Sequence, residues 1–498
     1  MGQSIDKKKV VVVGIDGGEI TVFKRMIEKG LMPNLDSIMK RGFTANIDTY
    51  VKGYGQGWAS FMTGKSPEKH GIFYWNLYTR LVTSETVRDK LLWEILGEKG
   101  IKSCVINMSY TYPPKPLKGY MISGMGSGLS ASKNMKVTYP EELMEEIKRE
   151  AGNYIIACEY KEGDVNDHVK LVNGLIRMTE YRTKACLHIM EKYSPEFALI
   201  VFRGADLIQH CFWNLLEPAF ELSEINKPLQ KAIEAYYQEL DRGIGRIFDK
   251  YENSINMVVS DHGFGPVKAI VYLNNYLEQC GFLVKQHEAD SEKKVNIIGA
   301  GRDALKFIYR KFLRNIEAFR KLNKLRVKII GIDLPIDKNK TIAYSNTLFG
   351  VSINKQSPIH QSLEETKKNV IKCLQELKDP ATNEKVITKV YLKEDSYAKD
   401  FEDAPEIMFE VNEKYLVTYE MPLRENNIFK YMDKEERAFF TGSHRQSGIF
   451  IVDGNSLEIS KMRKDLNITD AFATILNLFG IYAPDDMDGR AICRNKTH

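Results

Sequence analysis

The chain has 498 residues, 43% of them hydrophobic and 28% charged, long enough for one large domain with an insertion or for several domains. A formal net charge of +5 is too small to imply a nucleic-acid binder, and no nucleic-acid binding is expected. Met1–Lys9 has no apolar stretch of the signal-peptide kind, so a cytoplasmic location is expected, and seven cysteines without C-x-x-C spacing exclude a cysteine-based zinc knuckle and point to reduced, mostly buried thiols.

Lys9–Ile15 is almost continuous valine, the pattern of a parallel strand covered on both faces, and it ends at Asp16-Gly17-Gly18. Asp16 is a candidate metal ligand there, and an aspartate would serve equally as N-cap of a helix over Ile20–Lys29. Pro33–Arg41 reads as a short helix. Phe43–Val51 reads as a strand leading into Gly53-Tyr54-Gly55-Gln56-Gly57-Trp58, with Ala59–Thr63 and a turn over Gly64–Gly71 behind it. Ser60 and Thr63 fall inside that segment as helix and turn residues, and His70 is expected to be structural.

Helix, strand (Lys102–Asn107) and loop between Val87 and Gly124 repeat a βα unit, and Glu141–Arg149 and Lys170–Lys192 have helical apolar spacing. Phe197–Phe202, F-A-L-I-V-F, is a strand followed at once by R-G-A-D-L-I-Q-H. Asp206 and His210 stand four apart, so on a helix they share a face and close on a single ion. The Gln230–Tyr251 helix then delivers the chain to V-V-S-D-H-G-F-G at Val258–Gly265, where an apolar run stops at Asp261 and His262. Such a pair at a strand end also suits a hydrogen-bonded turn.

After Leu283 the character changes. Arg302–Lys328 carries ten basic residues against Asp303 and Glu317, with one apolar helical stripe. The favoured reading is a helix packed on the core with a solvated basic face; weak contact with an anionic membrane or with a phosphorylated substrate are the others. Thr341–Asn354, Ser362–Leu377 and Val386–Leu392 read as an α+β insertion. His444, in T-G-S-H-R-Q-S-G-I-F-I, precedes a strand, and Arg445 beside it either meets a phosphate oxygen or lies at the surface. Leu466–Phe479 is an amphipathic helix. These elements divide the chain into a first core part over 1–285, a cap insertion over 286–438 and a completing core part over 439–498.

Asp16, Asp206, His210, Asp261, His262 and His444 thus all fall at or near strand ends, the edge where open α/β sheets place their sites. Two sets of three carboxylate and imidazole ligands suit two zinc-like ions, with manganese or magnesium as the other candidates, each keeping an open position. Two such ions can clamp the attacking and leaving oxygens of an in-line displacement at phosphorus. Spacing alone does not divide the six ligands between the ions.

The stretches G-I-D-G-G, G-W-A-S-F-M-T-G-K-S-P-E-K-H-G-I-F, A-D-L-I-Q-H-C-F-W, S-D-H-G-F-G, K-T-I-A-Y, G-S-H-R-Q-S-G-I-F and D-M-D-G-R follow one another in the order seen in the alkaline phosphatase superfamily, and most resemble its type I phosphodiesterase/nucleotide pyrophosphatase branch. The resemblance covers nearly the whole chain. It implies an α/β fold with a mainly parallel sheet sandwiched between helices and an α+β cap. It implies that Asp16, Asp261 and His262 hold one metal, that Asp206, His210 and His444 hold the other, and that the substrate is a small-molecule phosphate ester of nucleotide or phospholipid kind. One position departs from the family's pattern: the Thr or Ser nucleophile falls on Tyr54. A metal could lower the phenol's ordinary pKa of about 10. Three outcomes are open: Tyr54 as nucleophile, direct attack by metal-bound hydroxide, or a phosphate-ester binder without turnover.

Overall fold

A computed structural model describes residues 8–50, 56–72, 76–77, 80–81, 83–124, 136–156, 158, 165–217, 226–286, 336–355, 357, 362–395, 405–422, 426–432, 441–454, 457–458 and 462–492. Tyr54 and the basic segment 302–328 lie outside the described residues. The chain forms two compact units: one of residues 1–75, 82–267 and 433–498, the other of 76–81 and 268–432. The second unit therefore takes in residues 268–285, which the sequence reading assigned to the core, because the strand Ala269–Tyr272 pairs with Tyr415–Thr418 and Phe429–Tyr431 of that unit.

The first unit is built on a nine-stranded sheet. Its order is Leu466–Asn467, Phe43–Asp48, Ser447–Asp453, Ile255–Val259, Val10–Ile15, Phe197–Phe202, Ser103–Ile106, Gly119–Ile122 and Thr138–Tyr139. The five strands from Ile255–Val259 to Gly119–Ile122 are parallel to one another, whereas Ser447–Asp453 runs antiparallel to both of its neighbours. Alternation along the central strand explains why it is valine throughout. Val11, Val13 and Ile15 join one apolar layer with Val172, Leu175 and Ile189 of the helix Val165–Tyr193 and with Tyr237, Leu240 and Ile244 of the helix Lys227–Phe248. On the opposite side Gly14 has the Trp58 ring so close that a β-carbon would stand 2.7 Å from it. Both faces are covered, so a polar residue at either parity would be buried without a partner.

Register aligns the strand ends. Ile15 pairs with Phe202 and Gly14 with Val259, so Asp16, Arg203 and Ser260 leave the sheet together at its carboxyl edge.

The second unit has a three-stranded sheet (Tyr415–Thr418, Ala269–Tyr272, Phe429–Tyr431) and a four-stranded sheet (Ala343–Tyr344, Gly350–Ile353, Ile407–Val411, Ile387–Leu392). The helix Leu363–Glu376, capped by the Ser362 hydroxyl accepting from the Glu365 amide, turns Val370 and Leu374 into a core with Val351 and Phe409. Asp379 is buried in this unit and accepts from Lys268 Nζ (2.7 Å), Tyr415 Oη (2.7 Å), Tyr431 and Thr382. Among the described residues no helix is long and apolar enough to cross a membrane.

Candidate metal centre

The helix Ile20–Glu28 takes its N-cap from Glu19, whose carboxylate accepts from the Thr21 amide at 3.0 Å, and Asp16 is left for another role. Gly17, at φ +68, turns the chain away from the strand under the Phe264 ring, where any side chain would clash. The carboxylate of Asp16 consequently points along the carboxyl edge of the sheet toward the ends of the neighbouring strands.

The six expected residues converge there. Asp206 stands in the first turn of the helix Gly204–Leu216 and His210 one turn later, so both side chains share a face. Asp261 and His262 follow the strand Ile255–Val259. His444 is brought in by Gly442–Arg445, which pairs antiparallel with Gly263–Pro266 so that His444 lies opposite Phe264. Asp206 Oδ1 is 3.4 Å from His210 Nε2, 3.3 Å from His444 Nε2 and 3.9 Å from His262 Nε2. His262 Nε2 is also 3.4 Å from Asp16 Oδ1 and 3.6 Å from Asp261 Oδ2.

Among the described residues, two groups have ligand atoms close enough to share an ion: Asp206, His210 and His444, and Asp16, Asp206 and His262. The first is the set that the family resemblance implies. In the second, Asp206 stands with Asp16 and His262, while Asp261 turns its Oδ1 to the Gly17 amide at 3.2 Å and keeps Oδ2 beside His262. Asp206 thus faces both groups.

The tautomers suit cation binding. His210 Nδ1 donates to the Gly442 carbonyl at 3.1 Å and His262 Nδ1 to the Gly263 carbonyl at 3.1 Å, so in the neutral rings the Nε2 lone pairs face the carboxylates. His210 Nε2 and His444 Nε2 lie 2.9 Å apart, two donor atoms aimed at one point. The residues present therefore fit a pair of divalent cations.

Electrostatics in the buried cluster are correspondingly strained. Burial pushes Asp261 well above the usual carboxylate range, and the Asp16 charge adds to that. Burial acts the same way on Asp206, yet the imidazoles of His210 and His444 and the Arg203 guanidinium outweigh it and hold the carboxyl well below its ordinary value. Burial lowers His262, but the charges of Asp261 and Asp16 overcome it and raise the imidazole to about 9. His444 is pushed down by burial and by the charge of His262. Perturbations of opposite sign in one buried cluster are a pattern common to functional sites and to structural ion-pair networks alike.

Three neighbours had no role in the sequence reading. Phe264 presents its ring to His210, His262 and His444 with centroids 4.7, 5.4 and 5.1 Å away, walling the imidazoles in. Trp58 Nε1 donates to Asp16 Oδ2 at 3.3 Å. Arg203 donates to Asp16 and to Asp206. Its one sequence signal is a charged residue placed directly after the apolar strand F-A-L-I-V-F. Arg445, by contrast, spends its donors on the carbonyls of Ser443, His444 and Pro266 and braces the strand pair that carries His444. Tyr54 lies outside the described residues, but the helix Gln56–Thr63 behind it packs so tightly at Gly57 that a β-carbon would fall 2.4 Å from the Asp261 carbonyl oxygen.

A family model for type I phosphodiesterase/nucleotide pyrophosphatase matches residues 10–437. No curated protein matches the sequence. Among solved structures, a phosphonoacetate hydrolase from Sinorhizobium meliloti 1021 in complex with phosphonoformate is 14% identical, with 94% of each chain covered and a TM-score of 0.50. Human ectonucleotide pyrophosphatase/phosphodiesterase 5 is 14% identical over 97% of each chain with a TM-score of 0.51. An inactive form of the murine ectonucleotide pyrophosphatase/phosphodiesterase 5 in complex with AMP is 13% identical over 96% of each chain, with a TM-score of 0.50. At these identities the likeness is one of fold: the alkaline-phosphatase-like α/β architecture expected from the motifs is present.

Proposed function

The chain belongs to the type I phosphodiesterase/nucleotide pyrophosphatase family, and from that premise we propose that it is a metal-dependent phosphoesterase acting on a small-molecule phosphodiester or pyrophosphate. The observation that carries the reading is the convergence of three imidazole Nε2 atoms on the Asp206 carboxylate, from segments between positions 206 and 444. Asp206, His210 and His444 would hold one divalent cation, and Asp16, Asp261 and His262, with Asp206 at hand, the other. Such ions, when bound, supply Lewis acidity toward the phosphoryl oxygens and neutralise charge developing there.

The chain's own part is to orient. Backbone carbonyls of Gly442 and Gly263 fix the imidazole tautomers, and Phe264 packs its ring against those of His210 and His262. Tyr54 replaces the family's hydroxyl nucleophile, so a binder that does not turn the ester over is the second reading.

Turnover of bis-p-nitrophenyl phosphate by the purified protein separates the two. The enzyme reading expects turnover with zinc, manganese or magnesium, loss on chelation, and a drop on the order of 10²-fold or more in His210→Ala, since one ligand of three is gone. Metal bound without turnover, together with metal-dependent affinity for a phosphate ester, supports the binder. No metal bound by the wild type overturns both.

A further inference from the structure

We propose that Arg203 is a positioning residue that ties together one carboxylate from each metal-ligand group, an inference resting on the metal-centre reading above. The guanidinium is a planar fork whose Nε–H and one Nη–H point the same way along one edge. That edge commonly takes both oxygens of a single carboxylate. Here it is shared: Nε donates to Asp16 Oδ2 at 3.1 Å and Nη2 to Asp206 Oδ2 at 3.3 Å. Asp16 follows one strand and Asp206 stands in the first turn of the helix after the neighbouring strand, so a single rigid group spans two elements of the sheet edge.

The consequence lies on the opposite oxygens. With both Oδ2 atoms engaged, both Oδ1 atoms face the imidazoles, Asp16 Oδ1 toward His262 at 3.4 Å and Asp206 Oδ1 toward His210 and His444 at 3.4 and 3.3 Å. Trp58 Nε1 adds a second donor to Asp16 Oδ2 at 3.3 Å, on the same side as Arg203. The carboxylate side chains are only 5% and 7% exposed and the arginine 25%, so water competes poorly for these bonds. A lysine would keep the charge but not the fork, since an ammonium is a point donor that cannot hold two carboxylates at a fixed separation.

Positioning and simple charge make opposite predictions. A positive group this close to the ligands repels a divalent cation, so a guanidinium acting through charge alone would weaken metal binding and its removal would tighten it. A guanidinium acting through geometry strengthens binding, because without it two carboxylates must be ordered by the ion itself. Loss of an outer partner of this kind typically weakens metal affinity about 10–100-fold.

The test is manganese binding to the full-length protein after chelation, followed by calorimetric titration and by the electron paramagnetic resonance of the bound ions, with circular dichroism confirming that each variant is folded. Arg203→Met is expected to bind Mn2+ about 10–100-fold more weakly than the wild type. Arg203→Lys should fall between them and bind less well than the wild type, and it carries the test should the methionine variant fail to fold. Wild-type or tighter binding in Arg203→Met, or binding in Arg203→Lys equal to the wild type, overturns the positioning role while leaving the metal-centre reading intact. Absence of Mn2+ and Zn2+ binding by the wild type overturns both.

Discussion

His70 offers a titration in which the sign of the effect is fixed by hydrogen bonding. The ring is fully buried: Nδ1 accepts from the Ile72 amide at 3.0 Å and Nε2 faces the Ser60 hydroxyl at 3.0 Å. An Nδ1 that accepts from an N–H carries no proton, so the folded protein holds the neutral imidazole. Burial is the main cause, opposed only by Asp488, and it lowers the pKa to about 3. The unfolded chain, with its histidine near 6.5, therefore binds more protons between these two values, and stability falls as pH falls through that window and is indifferent to His70 above it. From pH 7 to pH 5 the linkage amounts to about 2 kcal/mol, at roughly 1.4 kcal/mol per unit once the unfolded histidine is protonated. Replacing His70 by Gln removes the titration. Urea unfolding of both proteins in chelator, at the two pH values, should show the variant less stable at neutral pH and the gap narrowing by about 2 kcal/mol at pH 5. Other titrating groups cancel in the comparison. Parallel pH dependence of the two proteins would refute a buried neutral His70.

Gly57→Ala places a β-carbon 2.4 Å from the Asp261 carbonyl oxygen and 2.8 Å from its Cβ, neither of which can rotate away. A loss of about 1–3 kcal/mol in urea titration is expected, together with weaker Mn2+ binding as Asp261 shifts; wild-type values in both would show that the helix yields instead. In the second unit, Asp379→Asn discharges the acceptor shared by Lys268, Tyr415 and Tyr431. It should destabilise by about 2–3 kcal/mol, read as a lower urea midpoint for that unit, and an unchanged midpoint would mean the network contributes no net stability.

The strand ends were legible because burial on both faces leaves a parity-independent apolar run, and a charged residue that stops such a run is conspicuous. That is how Asp16, Asp206, Asp261 and their neighbouring histidines could be read from V-V-V-V-G-I-D, F-A-L-I-V-F-R-G-A-D and V-V-S-D-H. What could not be read was anything set by the approach of distant segments. The choice between Glu19 and Asp16 as helix cap depends on which carboxylate the turn at Gly17 turns back, and either residue type serves. Asp206 meets His262 as well as His210 because the strands that precede Asp206 and His262 flank Val10–Ile15 on either side in register, a relation no local spacing encodes. Phe264 looks like any strand aromatic until it is found opposite His444. The basic residues of 302–328 and the phenol of Tyr54 are read from sequence alone.

The strand Ser447–Asp453 sits in the interior of the sheet, with Phe43–Asp48 on one flank and Ile255–Val259 on the other. A nascent chain still attached to the ribosome must carry an unfilled slot there until that strand has emerged, with two edges of backbone amides and carbonyls unpaired. The piece that fills the slot follows directly on the short strand Gly442–Arg445 that bears His444, so closure of the sheet and delivery of the final imidazole are one event. Immature or truncated copies would consequently be prone to pairing with one another, and assembly on a holding chaperone during synthesis would suit this topology better than early release.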